Sequence, residues 1–505
     1  MKLVFYYFFF VSMHSLGAQV TYSKSLDINN SADVGVGLAR TDEGYIILAG
    51  SICDYDCTSI IGTDYFGNIL WKKQIENLNG NIKLADNYSN HGLVINEATN
   101  NIYISGITRE GIDNYDCFIY NLTLTADSIW FHKYGGQFDD INSTLIQATD
   151  TSLILFSDYG INSSEDEIWI LYTDLNGNVI HDYRYGSDYA IVGRQDILQL
   201  NSHDIIYTYI GCNNDCGFDE SKTLIIAKIN NLGEELWSKP IFEFTDIWGN
   251  STIIPLNNGG FVVSFYEYND EGNWIYPPIL IWLDSLGNVN SIYYFQSETE
   301  SIINDLALTS SGMVVGAGSI DKLEYGYAGW VFSFNPNGEL LWNKEIVDSR
   351  YPAMYSGFNA VLESENGGLV LTGMIIDTFS EQNPNQANQN IWLVKLDDEG
   401  CLDIGCKDLQ ILTRIEEVPG TNQYMKIFPT VTDGDLHYHI SNLTESIVEL
   451  YVSIISADGK IIEKIKIAAE YSGKLDLSFL TNGIYFLKLS DKSGNLIDIN
   501  KVLKI

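Results

Sequence analysis

The chain is short of basic residues. Against 66 Asp and Glu it carries only 28 Lys and Arg, for a formal net charge of −38 over 505 residues. A surface of that sign repels phosphate backbones, so nucleic acid is not expected as a partner, and the acidity reads first as solubility outside the cell. No apolar run approaches the ~20 residues that a membrane-crossing helix needs, so no transmembrane segment is expected. Heptads, helical stripes and long polar tracts are missing. So are Gly-x-Ser-x-Gly and His-Glu-x-x-His, which removes two signatures of serine-nucleophile and zinc-hydrolase chemistry.

What is present is a repeat. An Asp or Asn three residues before a Gly, preceded by an apolar run, occurs at Asp64/Gly67, Asp174/Gly177, Asn230/Gly233, Asp284/Gly287, Asn335/Gly338 and Asp397/Gly400. A copy without the Gly lies between Asn121 and Trp130. Asp or Asn suits the first position of a type I turn, because its side chain bonds backbone two residues on, and Gly suits the position that needs φ > 0. Runs such as Ile168-Trp169-Ile170-Leu171-Tyr172 lead into the turn, and Trp71, Trp237 and Trp342 fall four residues behind the Gly. With two further strands upstream, each unit is a four-stranded antiparallel meander.

Successive Gly positions 177, 233, 287, 338 and 400 are 56, 54, 51 and 62 residues apart. That period with four strands per unit predicts a β-propeller, and seven copies predict seven blades. The last copy ends at Gly400-Cys401 without a fourth strand, while Val20 to Leu26 is a strand with no unit of its own. Pairing the two closes the ring and removes its open edges.

Met1-Lys2, the apolar stretch 3–11 and Ser15-Leu16-Gly17-Ala18 have the order of a secretory signal peptide. In an exported chain, seven cysteines predict disulfides. The expected pairs are Cys53 with Cys57, Cys212 with Cys216, and Cys401 with Cys406, leaving Cys117 over. The pairs sit in different blades without His neighbours, which disfavours zinc. Calcium is the one metal to weigh, at Asp139-Asp140 or within Asn269-Asp270-Glu271-Gly272-Asn273, although neither matches an EF-hand loop. No cofactor is otherwise expected.

The composition changes after a polar linker. From Tyr424, short alternating strands recur at regular spacing to Ile505, which reads as a small sandwich. The Asp458-Gly459-Lys460 turn, the Leu480-Thr481-Asn482-Gly483-Ile484-Tyr485 segment and the terminal Lys501-Val502-Leu503-Lys504-Ile505 resemble the type A C-terminal sorting domain of the type IX secretion system of Bacteroidota. The opening departs from that family, with Phe428-Pro429-Thr430-Val431 where the family has Tyr-Pro-Asn-Pro. The resemblance implies a folded address read by an outer-membrane translocon, and a protein secreted or held at the outer-membrane surface. The repeats are also similar to a propeller family often fused to such domains, through Tyr134-Gly135-Gly136-Gln137-Phe138-Asp139, Asp42-Glu43-Gly44-Tyr45 and Lys395-Leu396-Asp397-Asp398-Glu399-Gly400. That family brings an export context and no reaction.

The expected organisation is therefore all-β: a signal peptide over 1–18, a seven-bladed propeller of four-stranded blades over 19–406, a linker over 407–423 and a C-terminal β-sandwich over 424–505. Within each blade the first-to-second and third-to-fourth turns are short and repetitive, whereas the loops at the opposite end (107–116, 266–277, 319–329, 374–390) are long and all different. Ligand chemistry belongs on such variable loops. There Tyr266, Tyr268, Trp274 and Tyr276 of blade 5, with Tyr325 and Tyr327 of blade 6, place aromatic planes beside carboxylates, which suits sugar-ring stacking; packing between blades explains the same rings without a ligand. The Asp-x-x-Gly-x-x-x-Trp unit resembles the blade-docking motif of quinoprotein dehydrogenases, but their adjacent Cys-Cys is missing. Sialidase-type propellers need an arginine cluster, and the ring offers only Arg40, Arg109, Arg184, Arg194 and Arg350. The leading expectation is a non-catalytic propeller that binds glycan or protein, with no catalytic residue assigned. The alternative is a polysaccharide-active enzyme using loop carboxylates.

Overall fold

The computed structural model describes residues 21–28, 32–52, 57–75, 81–83, 92–109, 114–162, 166–186, 190–212, 222–244, 248–268, 277–295, 300–322, 326–348, 356–380, 383–402, 406, 409–412, 425–428, 431–432, 434–440, 450–456, 460–467, 472–492 and 496–504. The candidate signal peptide, Cys53, Cys216, Trp274, Tyr276, Tyr325 and the 269–273 calcium candidate lie outside them. The chain divides into two compact units, residues 1–413 and 414–505.

The first unit is a seven-bladed propeller. Blade 1 is a meander of Ala32–Arg40, Gly44–Ile52, Cys57–Asp64 and Ile69–Ile75. Blades 3 to 6 repeat it, with first strands Ile141–Thr149, Ala190–Gln199, Trp248–Pro255 and Ser301–Leu308. Blade 2 departs from the pattern: two short strands, Asn81–Lys83 and Leu93–Asn96, both pair Asn101–Arg109 where one first strand would stand. Blade 7 runs Ser356–Glu363, Leu369–Ser380 and Asn383–Leu396, and its fourth strand is Tyr22–Leu26 from the other end of the chain, with Leu26 opposite Ile391 and Tyr22 opposite Lys395. The first strands of successive blades touch one another all the way round, and that of blade 7 touches that of blade 1. The ring is closed. Leu409–Leu412 adds a parallel strand to the outer edge of blade 6, beside Leu340–Asp348.

The repeat turn works as its residues predict, with an extra part. Gly67 N–H donates to Asp64 O (3.0 Å), and Gly67 has φ +71°. One Asp64 oxygen accepts from Phe66 N–H (2.9 Å) and Asn68 N–H (2.8 Å), while Asn68 Nδ2 donates to the other (2.8 Å). Blades 3 and 5 use the same Asp-Asn pair, at Asp174/Asn178 and Asp284/Asn288. Blades 4 and 6 reverse it, with Asn230 donating to Glu234 and Asn335 to Glu339. Each of these turns holds one carboxylate and one amide. In blade 2, where the Gly is missing, Ala126 itself takes φ +59° and its N–H donates to Thr123 O.

The turn glycines have a second reason to be there. A Cβ on Gly177 would lie 3.0 Å from Trp130, on Gly287 2.6 Å from Trp237, and on Gly400 2.7 Å from Trp342, each ring belonging to the preceding blade. Trp130, Trp237 and Trp342 stand opposite Asn121, Lys228 and Ser333, two residues before their own turns. Tyr22 stands opposite Lys395, two residues before Asp397, and a Cβ on Gly67 would lie 2.7 Å from its ring. The N-terminal strand thus delivers the aromatic that docks blade 7 on blade 1. Beside it, Lys395 is buried and pairs with Glu365 (2.5 Å), which also accepts from the Tyr45 hydroxyl (2.6 Å).

The second unit packs two sheets on one core. Met425–Phe428, Asp435–Ile440 and Ser472–Asp476 form one, and Val431–Thr432, Leu496–Lys504, Gly483–Asp491, Leu450–Ser456 and Ile461–Ile467 the other. Leu436, Ile440 and Leu475 meet Val452, Ile454, Leu487, Leu489 and Val502 between them, so this is a β-sandwich.

The junction of blades 7 and 1 yields a direct test. Gly67→Ala, at a left-handed φ and against a ring, costs about 2–3 kcal/mol, and Tyr22→Ala costs about 2 kcal/mol of burial. In urea unfolding the double variant loses less than the sum by about 1 kcal/mol, because removing the ring relieves the clash. Strict additivity of the two losses counts against contact across this junction.

Candidate functional site

The short turns of blade 1 do more than connect strands. Thr41 to Gly44 ends the first strand and Asp64 to Asn68 ends the third, so both lie at one end of the ring. Tyr65 donates its hydroxyl to Thr41 O (2.6 Å), which fixes one turn on the other. Alongside them open the blade 2 turns at 97–100 and 123–127 and, on the other flank, Glu365 of blade 7. Between these parts lies a groove of roughly 740 Å³, lined by Arg40, Asp42, Glu43, Tyr45, Trp71, Glu97, Asn100 and Leu124 among others.

Its floor is buried and its rim is exposed. Tyr45 is fully buried, and burial followed by the Glu365 carboxylate pushes its phenol far above the usual range. Desolvation works against ionised Glu365, but the hydrogen bonds from Lys395 and Tyr45 outweigh it and hold the carboxyl below its usual range. At the rim, Arg40, Asp42, Glu43, Glu97 and Asn100 are exposed. Among the described residues no partner engages the carboxylates of Asp42, Glu43 and Glu97 or the amide of Asn100. Asn100 has φ +54°, the left-handed place that Gly259, Gly312 and Gly367 fill in blades 5 to 7.

The opposite end carries the variable loops. Tyr266 is half-buried near the end of Phe261–Tyr268, which Tyr268 terminates, and Tyr327 opens the third strand of blade 6, donating its hydroxyl to Glu300 (2.5 Å). Of the six aromatics singled out in the sequence, these three belong to described segments, at the same end of neighbouring blades.

At that end the Gly135-Gly136 corner joins blades 2 and 3. Asp140 is buried and accepts from Gly136 N–H (2.6 Å) and Gly160 N–H (3.1 Å), while Asp139 accepts from Tyr115 N–H (2.9 Å). A Cβ on Gly135 would meet Asp116 at 2.2 Å and Asp140 at 2.7 Å, and one on Gly136 would meet the Tyr159 hydroxyl at 2.6 Å, which accounts for the paired glycines. The Asp140 oxygens therefore hold backbone. Desolvation, opposed by those two amides and aided by Asp116, pushes the Asp140 carboxyl up to about 6. Desolvation and then the charges of Asp158 and Asp139 bring Asp166 to about 6 as well. No group of three or more His, Cys, Asp or Glu among the described residues is arranged to hold a metal ion.

Of the cysteines, Cys401 and Cys406 form a disulfide, with Cα atoms 5.6 Å apart. Cys212 is also disulfide-bonded. Cys117 is a buried thiol 2.9 Å from the Ser157 hydroxyl.

Residues 426–503 match the secretion system C-terminal sorting domain. No curated protein matches the chain. Among solved structures the chain is similar to a puromycin hydrolase (10% identity, TM-score 0.46, covering 90% of this chain and 58% of that one). It is also similar to the polysaccharide lyase Uly1 (9%, 0.45, 77% and 94%) and to a gluconolactonase from Xanthomonas campestris (9%, 0.34, 75% and 98%). The chain spans 50% and 58% of the lengths of two puromycin hydrolase structures. The sorting domain marks it for handling by the type IX secretion system, through the periplasm to the cell surface or beyond. No helix of the described residues is long and apolar enough to cross a membrane.

The raised carboxyls set a pH dependence. A carboxyl at about 6 in the folded chain and near 3.8 when unfolded stabilises the fold below about 3.8, and that contribution is lost as pH rises through 6. Asp166→Asn removes one such group, so the melting temperature of the variant falls less between pH 5 and pH 7.5 than that of the wild type. Parallel profiles for the two proteins would contradict the raised value at Asp166.

Proposed function

We propose that this exported chain is a non-catalytic recognition propeller, at the cell surface or released from it, that binds glycan or protein. The use made of its buried carboxylates carries the reading. Asp196 accepts from Ile197 N–H (2.7 Å) and, across the blade junction, from Ile253 N–H (2.8 Å). Asp305 accepts from Val361 N–H (2.8 Å) and Asp33 from Ile28 N–H (2.8 Å), as Asp140 does from Gly136 and Gly160. These carboxylates tie backbone to backbone, and a general acid or base must be free to exchange its proton with substrate. A closed ring stiffened this way holds variable loops in fixed positions, which is what a binding surface requires. On this reading the loop end of blades 5 and 6, with Tyr266, Tyr268, Trp274, Tyr276, Tyr325 and Tyr327, contacts the ligand.

One observation favours a polysaccharide-active enzyme instead. Asp140 and Asp166, both near 6, have the raised values that acid catalysis uses. The two readings separate cleanly. The exported chain, applied to a glycan and protein array and then to polysaccharide mixtures, is expected to retain ligand without releasing reducing ends or unsaturated products. Turnover that disappears in Asp140→Asn or Asp166→Asn reverses the assignment.

A further inference from the structure

We infer that the short-turn groove between blades 1 and 2 is a second ligand site, and that it takes an oligosaccharide bearing no negative charge. This rests on the recognition reading but places a site at the end of the ring opposite the variable loops.

The starting point is the blade junction whose third-to-fourth turn has Ala126 where the other blades have glycine. Between blades 2 and 3, the indole N–H of Trp130 donates to Leu175 O in the next blade's turn (3.1 Å), and Gly177 packs on the ring. Between blades 1 and 2 the corresponding carbonyl is that of Leu124 and the corresponding turn residue is Ala126. Trp71, like Trp237 and Trp342, makes no such hydrogen bond among the described residues, and both Trp71 and Leu124 line the groove. One side of the Trp71 ring lies on Gly62, where a Cβ would come within 2.3 Å of Cε2, so the indole is braced from behind by backbone. It presents a half-buried aromatic surface and an N–H without a partner among the described residues.

Around that plate stand groups that hydroxyls satisfy. Asp42, Glu43 and Glu97 offer acceptors, Arg40 offers donors, and the Asn100 amide offers both. The volume, roughly 740 Å³, falls in the range of about 300–1,000 Å³ usual for small-ligand sites. Little has to be ordered on binding, because Tyr65 already anchors the turn that carries Asp42 and Glu43. The apolar face of a pyranose covers an indole as another ring does, while its equatorial hydroxyls reach sideways to carboxylates and amides. A flat apolar ligand would leave those polar groups desolvated and unpaired. Charge sets the remaining limit. Three rim carboxylates face one guanidinium, in a chain of net charge −38, so uronic or sulfated sugars are repelled and neutral or amine-bearing ones are admitted.

The test is calorimetric titration of the full exported chain with neutral gluco-, manno- and xylo-oligosaccharides, with chitosan oligosaccharides, and with alginate oligosaccharides as the anionic arm. Binding is expected in the neutral or amine-bearing arm, with none to alginate. Trp71→Ala and Glu97→Ala are each expected to weaken it at least tenfold. Glu97 is exposed and without an internal partner, so its variant keeps the wild-type melting temperature even if removing Trp71 loosens the junction. Binding undiminished in both variants overturns the groove and leaves recognition at the loop end standing. Preference for alginate overturns the charge argument. Absence of binding in every arm overturns the groove, and the recognition reading then falls only if the wider array is also empty.

Discussion

The structure depends on one kind of contact repeated round a circle: an aromatic ring of one blade seated under the third-to-fourth turn of the next, from the outer strand at Trp130, Tyr183, Trp237, Trp342 and Tyr22 and from a third strand at Trp282. The contact dictates both partners. The turn residue must reach a left-handed φ to complete a hairpin and must carry no side chain to leave room for the ring, and glycine alone meets both demands without strain. Because the contact is made between neighbours, a chain of blades leaves one aromatic and one turn unmatched unless the ends meet. Tyr22 resolves this by standing in the register of the missing tryptophan, so the strand Tyr22–Leu26 serves as the last part of the final blade.

Much of this could be read from residues alone. The Asp-x-x-Gly spacing announced the hairpins, the interval between copies announced the ring, and the two incomplete ends announced each other. The fifth turn position, where Asn68, Asn178 and Asn288 answer an Asp and Glu234 and Glu339 answer an Asn, is equally regular but falls one residue beyond the Gly that defines the repeat. Tyr22 was hidden for a different reason. Its equivalence to Trp71 exists only through cross-strand register, and no turn links it to the strand it serves. The inner-strand carboxylates Asp33, Asp196 and Asp305 looked like ordinary acidic residues, since the amides they accept from lie in other strands.

The groove was the least legible feature. Its walls come from three blades and from residues up to 325 positions apart, Arg40 to Glu365, and no local motif marks it. Variable length drew attention to the loop end, whereas the short turns look too uniform to bind anything. That inference fails wherever a repeat is broken. At the first junction the turn glycine gives way to Ala126, a turn glycine gives way to Asn100, and the innermost strand of blade 2 shrinks to Leu93–Asn96.

Such a break is informative in a fold held together by repetition. Six junctions seat an aromatic ring of one blade against a turn glycine of the next, from Tyr22 at Gly67 to Trp342 at Gly400. At the seventh, Ala126 replaces the glycine, and Trp71 is half-buried as Trp130, Trp237 and Trp342 are, packed on the cluster that holds Ala126 while it also lines the groove. Here the blade 7–blade 1 junction next door is unusually well tied, with Lys395 and Glu365 paired beneath Tyr45 and Tyr65 anchored to Thr41. A groove walled by fixed turns is the geometry in which a small ligand can gain contacts without moving the scaffold.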